Sequence, residues 1–82
     1  MYLSGDGNLR IHELNISNTS EIAGKTIMES GLKNKFNLLM LGTKDPDGHI
    51  LFNPPPGKPL NQRTTLIVMG DVANIKKAQK IL

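Results

Sequence analysis

Leu38-Leu39-Met40-Leu41-Gly42-Thr43-Lys44-Asp45-Pro46-Asp47-Gly48-His49-Ile50-Leu51-Phe52, continued by Asn53-Pro54-Pro55-Pro56-Gly57, is the stretch that decides the fold. The apolar run Leu38–Leu41 and the return Ile50–Phe52 flank Asp45-Pro46-Asp47-Gly48, a tight-turn sequence. Proline pre-sets φ at the second turn position, and glycine supplies a positive φ at the end without a Cβ clash. A β-hairpin is therefore expected. The three prolines stop its second strand, because each removes a ladder donor and holds its own φ. The core is expected to be built against this hairpin.

Upstream, Leu9-Arg10-Ile11-His12-Glu13-Leu14-Asn15-Ile16 reads as a first strand, and residues 1–8 as a loose segment or the end of a linker. Leu14 and Ile16 share one face, whereas Leu9 and Ile11 fall on the other parity. A bulge, or burial of both faces, would reconcile them. Ser17–Ser20 is a polar turn. Thr26 and Glu29 have the spacing of a capping box, so a helix opens there. Gly31 suits the left-handed residue that ends it after little more than one turn. Leu32 and Phe36, four apart, place a second short helix over Leu32–Phe36 with both side chains on the core.

Downstream, Gly57–Arg63 is an irregular connection and Thr64-Thr65-Leu66-Ile67-Val68-Met69 a β-branched strand that Gly70 breaks. Asp71 caps a final helix in which Val72, Ile75, Ala78 and Leu82 form one apolar stripe. Lys76, Lys77 and Lys80 lie on or near its opposite face, where the C-terminal end of the helix dipole favours them. The order is β-α-β-β-β-α. The fold class is α+β: a small sandwich with a mostly antiparallel four-stranded sheet and two helical segments, forming one domain over residues 9–82.

Composition bounds the function. A chain of 82 residues without cysteine builds one modest core with no disulfide to help it. No apolar run approaches the roughly 20 residues that span a bilayer. Gly24-Lys25-Thr26 lacks the earlier glycine of a phosphate loop, since position 19 is Thr. Asp45-Pro46-Asp47-Gly48 lacks the third acidic ligand and the closing Glu of a calcium loop. His12 and His49 are 37 residues apart, and a site needs three or four convergent ligands, so no metal site is expected. No nucleophile–base arrangement is present, so binding rather than catalysis is expected. An RNA-binding protein, the rival from another class, needs a basic face with exposed aromatics. A net charge of +3 with one Tyr, two Phe and no Trp supplies little of that, so no nucleic-acid partner is expected.

Three segments in order carry a resemblance: Gly24-Lys25-Thr26-Ile27-Met28-Glu29-Ser30-Gly31-Leu32, then Asn53-Pro54-Pro55-Pro56, then Leu66-Ile67-Val68-Met69-Gly70. Together they resemble the C-terminal domain of RCK proteins, the TrkA-C domain, in the form found at the C-terminal end of two-helix potassium channel proteins. The resemblance implies a cytosolic, dimerising, ligand-sensing domain of a potassium channel or uptake system at the inner membrane. Its implied partners are an N-terminal RCK domain and a membrane channel or transporter subunit. The same module also resembles parts of cation/proton antiporters and anion carriers, which stay open as alternative hosts. No cofactor is required, and a nucleotide or cyclic dinucleotide is the implied effector.

In nucleotide-binding members, a basic residue after the glycine and residues at the end of the first helix contact the ligand. Lys25, and Gly31 with Leu32, hold those places here. The helix opening at Thr26 is expected to present unpaired N–H groups beside Lys25, and Gly31 to let a ligand approach the backbone. Met28 and Leu32 are expected at the dimer interface. Leu32, Met28, Leu39, Met40, Leu51 and Phe52 exceed what one small sandwich hides.

Overall fold

The strand on which the others are assembled is β4 (Thr65–Asp71), in a computed structural model that describes residues 8–82. It pairs antiparallel with β1 (Leu9–Asn15) on one side and β2 (Leu39–Lys44) on the other. Beyond β2, the short β3 (Ile50–Phe52) completes an antiparallel sheet of order β1-β4-β2-β3. Strand alternation sets the two faces of β4: Leu66, Val68 and Gly70 are buried, and Thr65, Ile67 and Met69 half-buried. Two helices, α2 (Leu32–Phe36) and α3 (Val72–Gln79), cover the face that carries Leu66 and Val68, and α1 (Ile27–Ser30) leads into α2. The opposite face of the sheet carries no covering element among the described residues.

The core joins Leu14 and Ile16 at the end of β1 to Leu66 and Val68, then to Leu32, Leu38, Ile75 and Ala78. Two loop residues complete it. Ile22 and Leu60 come from segments without periodicity, yet Leu60 is fully buried. Backbone bonds hold Leu60 there, its N–H donating to the Lys25 carbonyl and its own carbonyl accepting from Gly24 N–H, both at 2.7 Å. Asp71 caps α3 by accepting from Ala73 N–H at 2.8 Å. The helix ends at Gln79, and Lys76, Lys77 and Lys80 are exposed.

The hairpin forms as read, with Gly48 at φ 91° closing the turn, and the core is built against its first arm alone. Only Leu38, Gly42 and Thr43 of its first arm are buried, and all three residues of β3 are exposed. A central strand touches neighbours on both sides, whereas β3 lies at the edge. The parity conflict in β1 also resolves differently. Its register with β4 runs unbroken from Leu9 opposite Asp71 to Asn15 opposite Thr65, so there is no bulge. Ile11 is simply left 58 % exposed on the open face, and the irregularity falls in β2 between Met40 and Gly42.

Gly70 does not break β4. The strand continues to Asp71, and a Cβ at Gly70 would collide with the Leu38 side chain, so glycine serves packing there. The expected segment 1–8 lies outside the described residues except for Asn8, whose carbonyl accepts from Val72 N–H.

Candidate functional site

Helix α1 is short, and its N-terminus is sealed from within. Thr26 Oγ1 accepts from Glu29 N–H at 3.2 Å, and a Glu29 carboxylate oxygen accepts from Thr26 N–H at 2.9 Å. The next two donors bond across the chain, Ile27 N–H to the Lys58 carbonyl and Met28 N–H to the Pro56 carbonyl, each at 3.0 Å. Thr26 also bridges to Pro59. Every orphan N–H at this helix start therefore has a partner, and the expected anion cradle is filled by a carboxylate and two carbonyls. Glu29 is held below its ordinary value of 4.5, first by its bond from Thr26 N–H, then by the Thr26 hydroxyl and by the nearby Lys25 charge.

The same stitching lays the proline segment alongside α1 and α2 and leaves a cleft of about 260 Å³ between them. Ile27, Met28, Pro54 and Pro56 form apolar walls, and Lys33 and Asn34 from α2 supply one cation and one amide. Both polar residues are exposed, and Met28 is 66 % exposed. A pocket so lined suits a flat apolar body with an anionic or hydrogen-bonding group at its rim.

Of the residues singled out by sequence, the cleft gathers only Met28. Lys25 is exposed but does not line it. Gly31 takes the left-handed conformation at φ 76° and is buried, with an added Cβ meeting Lys35 Cδ at 2.9 Å. The aliphatic stem of Lys35 thus covers the backbone that was expected to admit a ligand. Leu32 is 2 % exposed and packs in the core. Sequence reasoning missed Lys33, Asn34, Pro54 and Pro56. The prolines enter the sequence reading as a strand stop and as part of the resemblance, and nothing local shows that Pro56 returns to α1.

Among the described residues, no group of three His, Cys, Asp or Glu side chains is placed to hold a metal ion. No helix there is long and apolar enough to cross a membrane.

A family model described as the TrkA-C domain matches residues 11–82. Among solved structures, the GsuK channel bound to NAD matches at a TM-score of 0.76 and 25% identity, over 90% of this chain and 13% of that one. The potassium transport protein KtrA RCK C domain in complex with c-di-AMP matches at 0.80 and 19% identity, over 90% and 84%. The RCK_C domain dimer of S. agalactiae BusR in complex with c-di-AMP matches at 0.74 and 23% identity, over 92% and 95%. BusR in complex with its busAB-promotor DNA also matches, at 0.74 and 22% identity, over 98% of this chain and 40% of that one. No curated protein sequence matches the chain significantly.

Proposed function

The chain belongs to the TrkA-C domain family, and from that premise we propose that it is a ligand-sensing, dimerising regulatory domain of a potassium channel or potassium uptake system. It works on the cytoplasmic side, joined to or assembled with an N-terminal RCK domain and a membrane subunit. The observation that carries this reading is the cleft between α1, α2 and Pro54–Pro56, with apolar walls and Lys33 at its rim. A cyclic dinucleotide offers flat bases to Met28 and the prolines and a phosphate to Lys33. The KtrA and BusR domains of the same fold, both solved with c-di-AMP, support that ligand class.

Calorimetric titration with c-di-AMP, NAD and calcium tests the reading. Saturable c-di-AMP binding is expected, weakened at least about tenfold by Met28→Asp and by Lys33→Ala, each lost contact costing on the order of 1.4 kcal/mol. Lys25→Ala is expected to change affinity less, since Lys25 lies outside the cleft. Binding unaffected by both cleft variants moves the site elsewhere. No binding of any of the three ligands removes the sensing role.

A further inference from the structure

Strand alternation sorts the charges of β1. Arg10 and His12 lie opposite Gly70 and Val68, on the helix-covered side of the sheet, whereas Glu13 lies opposite Ile67 and faces the open side. Between β1 and α3 a cleft of about 270 Å³ opens on that covered side. Val72 and Ile75 form its apolar floor, and the exposed Arg10, His12, Lys76 and Gln79 form its rim. The Gln79 amide and His12 Nε2, 3.3 Å apart, tie the helix to the strand. Two cationic side chains line the cleft and no carboxylate does, since Asp71 is engaged by Ala73 N–H in the helix cap.

The cleft runs beside backbone groups that point away from the sheet. Val72 N–H donates to the Asn8 carbonyl and Ile16 N–H to the Thr64 carbonyl, each at 3.0 Å and each continuing the β1–β4 register by one residue. By antiparallel alternation, Arg10, His12 and Leu14 turn their backbone groups to β4, and Leu9, Ile11 and Glu13 turn theirs outward. The Leu9 carbonyl accepts from the Arg10 guanidinium at 2.9 Å. Ile11 and Glu13 then form an edge with no described strand beside it. Consider a strand laid antiparallel there, one of its residues exchanging both bonds with Ile11. That residue's side chain points to the open face against Ile11, which is 58 % exposed, and its two neighbours point to the helix side, opposite Arg10 and His12. The pattern that fits is acidic, apolar, acidic. A second copy of β1 does not supply it, because it would set Arg10 opposite His12 where a carboxylate belongs.

We infer that the β1 edge and the β1–α3 cleft together seat an extended acidic segment of a partner protein, added to the four-stranded sheet as a further strand. Main-chain bonds to Ile11 and Glu13 hold the segment, and the cleft selects its side chains. Charge complementarity names the occupant: carboxylates meet Arg10 and Lys76, while a basic segment meets like charge there and is turned away. No residue of this cleft lines the one beside α1 and α2, so the segment and the effector occupy different surfaces.

The probe is a capped peptide of alternating glutamate and valine, about six residues long as strands usually are, titrated into the unaltered chain and followed by amide NMR. Saturable shifts are expected at Ile11, at Glu13 and along residues 75–79, with the Ile11 and Glu13 amides slowed in hydrogen exchange. A peptide of alternating lysine and valine is expected to produce none. Lys76→Glu is expected to weaken the glutamate–valine peptide at least about fivefold. Lys25→Glu, the same charge change outside the cleft, is expected to leave its affinity within about twofold. N-methylating the valines keeps every side chain of the peptide, removes the donors that pair with Ile11, and is expected to abolish binding without any change to the protein. Undiminished binding of the methylated peptide means that the cleft takes carboxylates without strand pairing, and overturns the added strand. No saturable shift at Ile11, or equal weakening by Lys76→Glu and Lys25→Glu, overturns the site itself.

Discussion

Thr26 and Glu29 show how much one pair of side chains organises here. Their reciprocal bonds close the start of a helix only four residues long, which has little propensity to form by itself. Removing the hydroxyl in Thr26→Ala is expected to cost about 1 kcal/mol of stability, measured by urea unfolding at neutral pH. The Glu29 contribution depends on pH. Its carboxyl is held below its ordinary 4.5 in the folded state, so its stabilising effect is full above 4.5 and is lost as pH falls through the lowered value. The stability gap between the unaltered chain and Glu29→Ala is therefore expected to narrow on acidification below 4.5. A gap that widens there would contradict the bonding described. Because Glu29 is exposed, added salt is expected to shrink the Lys25 part of the effect.

Among elements, β4 bears most of the architecture. It pairs with β1 from Thr65 to Asp71 and with β2 from Thr65 to Met69, and it passes directly into α3 through Asp71. Gly70 makes that continuity feasible, because the Leu38 side chain occupies the space where a Cβ would stand. Gly70→Ala is expected to cost about 1–3 kcal/mol, the range for an overpacked core. Thermal unfolding reads this directly, and the double variant with Leu38→Ala is expected to lose less than the sum of the two single losses, because the collision is cleared. An additive double variant would show that Gly70 is there for some other reason.

At the scale of the whole molecule, stability and interaction fall in different places. The core lies between β4, the end of β1 and the two covering helices, while the cleft opens between α1, α2 and Pro54–Pro56, and β3 forms one edge of the sheet. Hydrogen exchange is expected to be slowest at Leu66 and Val68, whose side chains are fully buried in the central strand. Ile50 and Phe52 amides point to a free edge, so in dilute solution they are expected to exchange near the rate of an open chain.

The amino-acid sequence determined the features that depend on residues a few positions apart. The Asp45–Gly48 turn, the Thr26–Glu29 capping box, the left-handed Gly31 and the Asp71 cap are all set by side chains bonding to, or avoiding, their own local backbone. Each forms where those short-range rules place it. Tertiary structure decided what is buried and what is open. Leu32 and Leu60 disappear into the core while Met28 and Phe52 stay out, although local hydrophobicity does not separate the two pairs. Burial depends on which strand becomes central, and that is settled by pairing between segments some 50 residues apart in the chain, such as Leu14 with Leu66. The Pro56 and Lys58 carbonyls that seal α1 arrive the same way, across a hairpin and a proline turn. Backbone partners of that kind leave no mark on the residue types that supply them, because every carbonyl is chemically alike and only the folded path brings a particular one into reach.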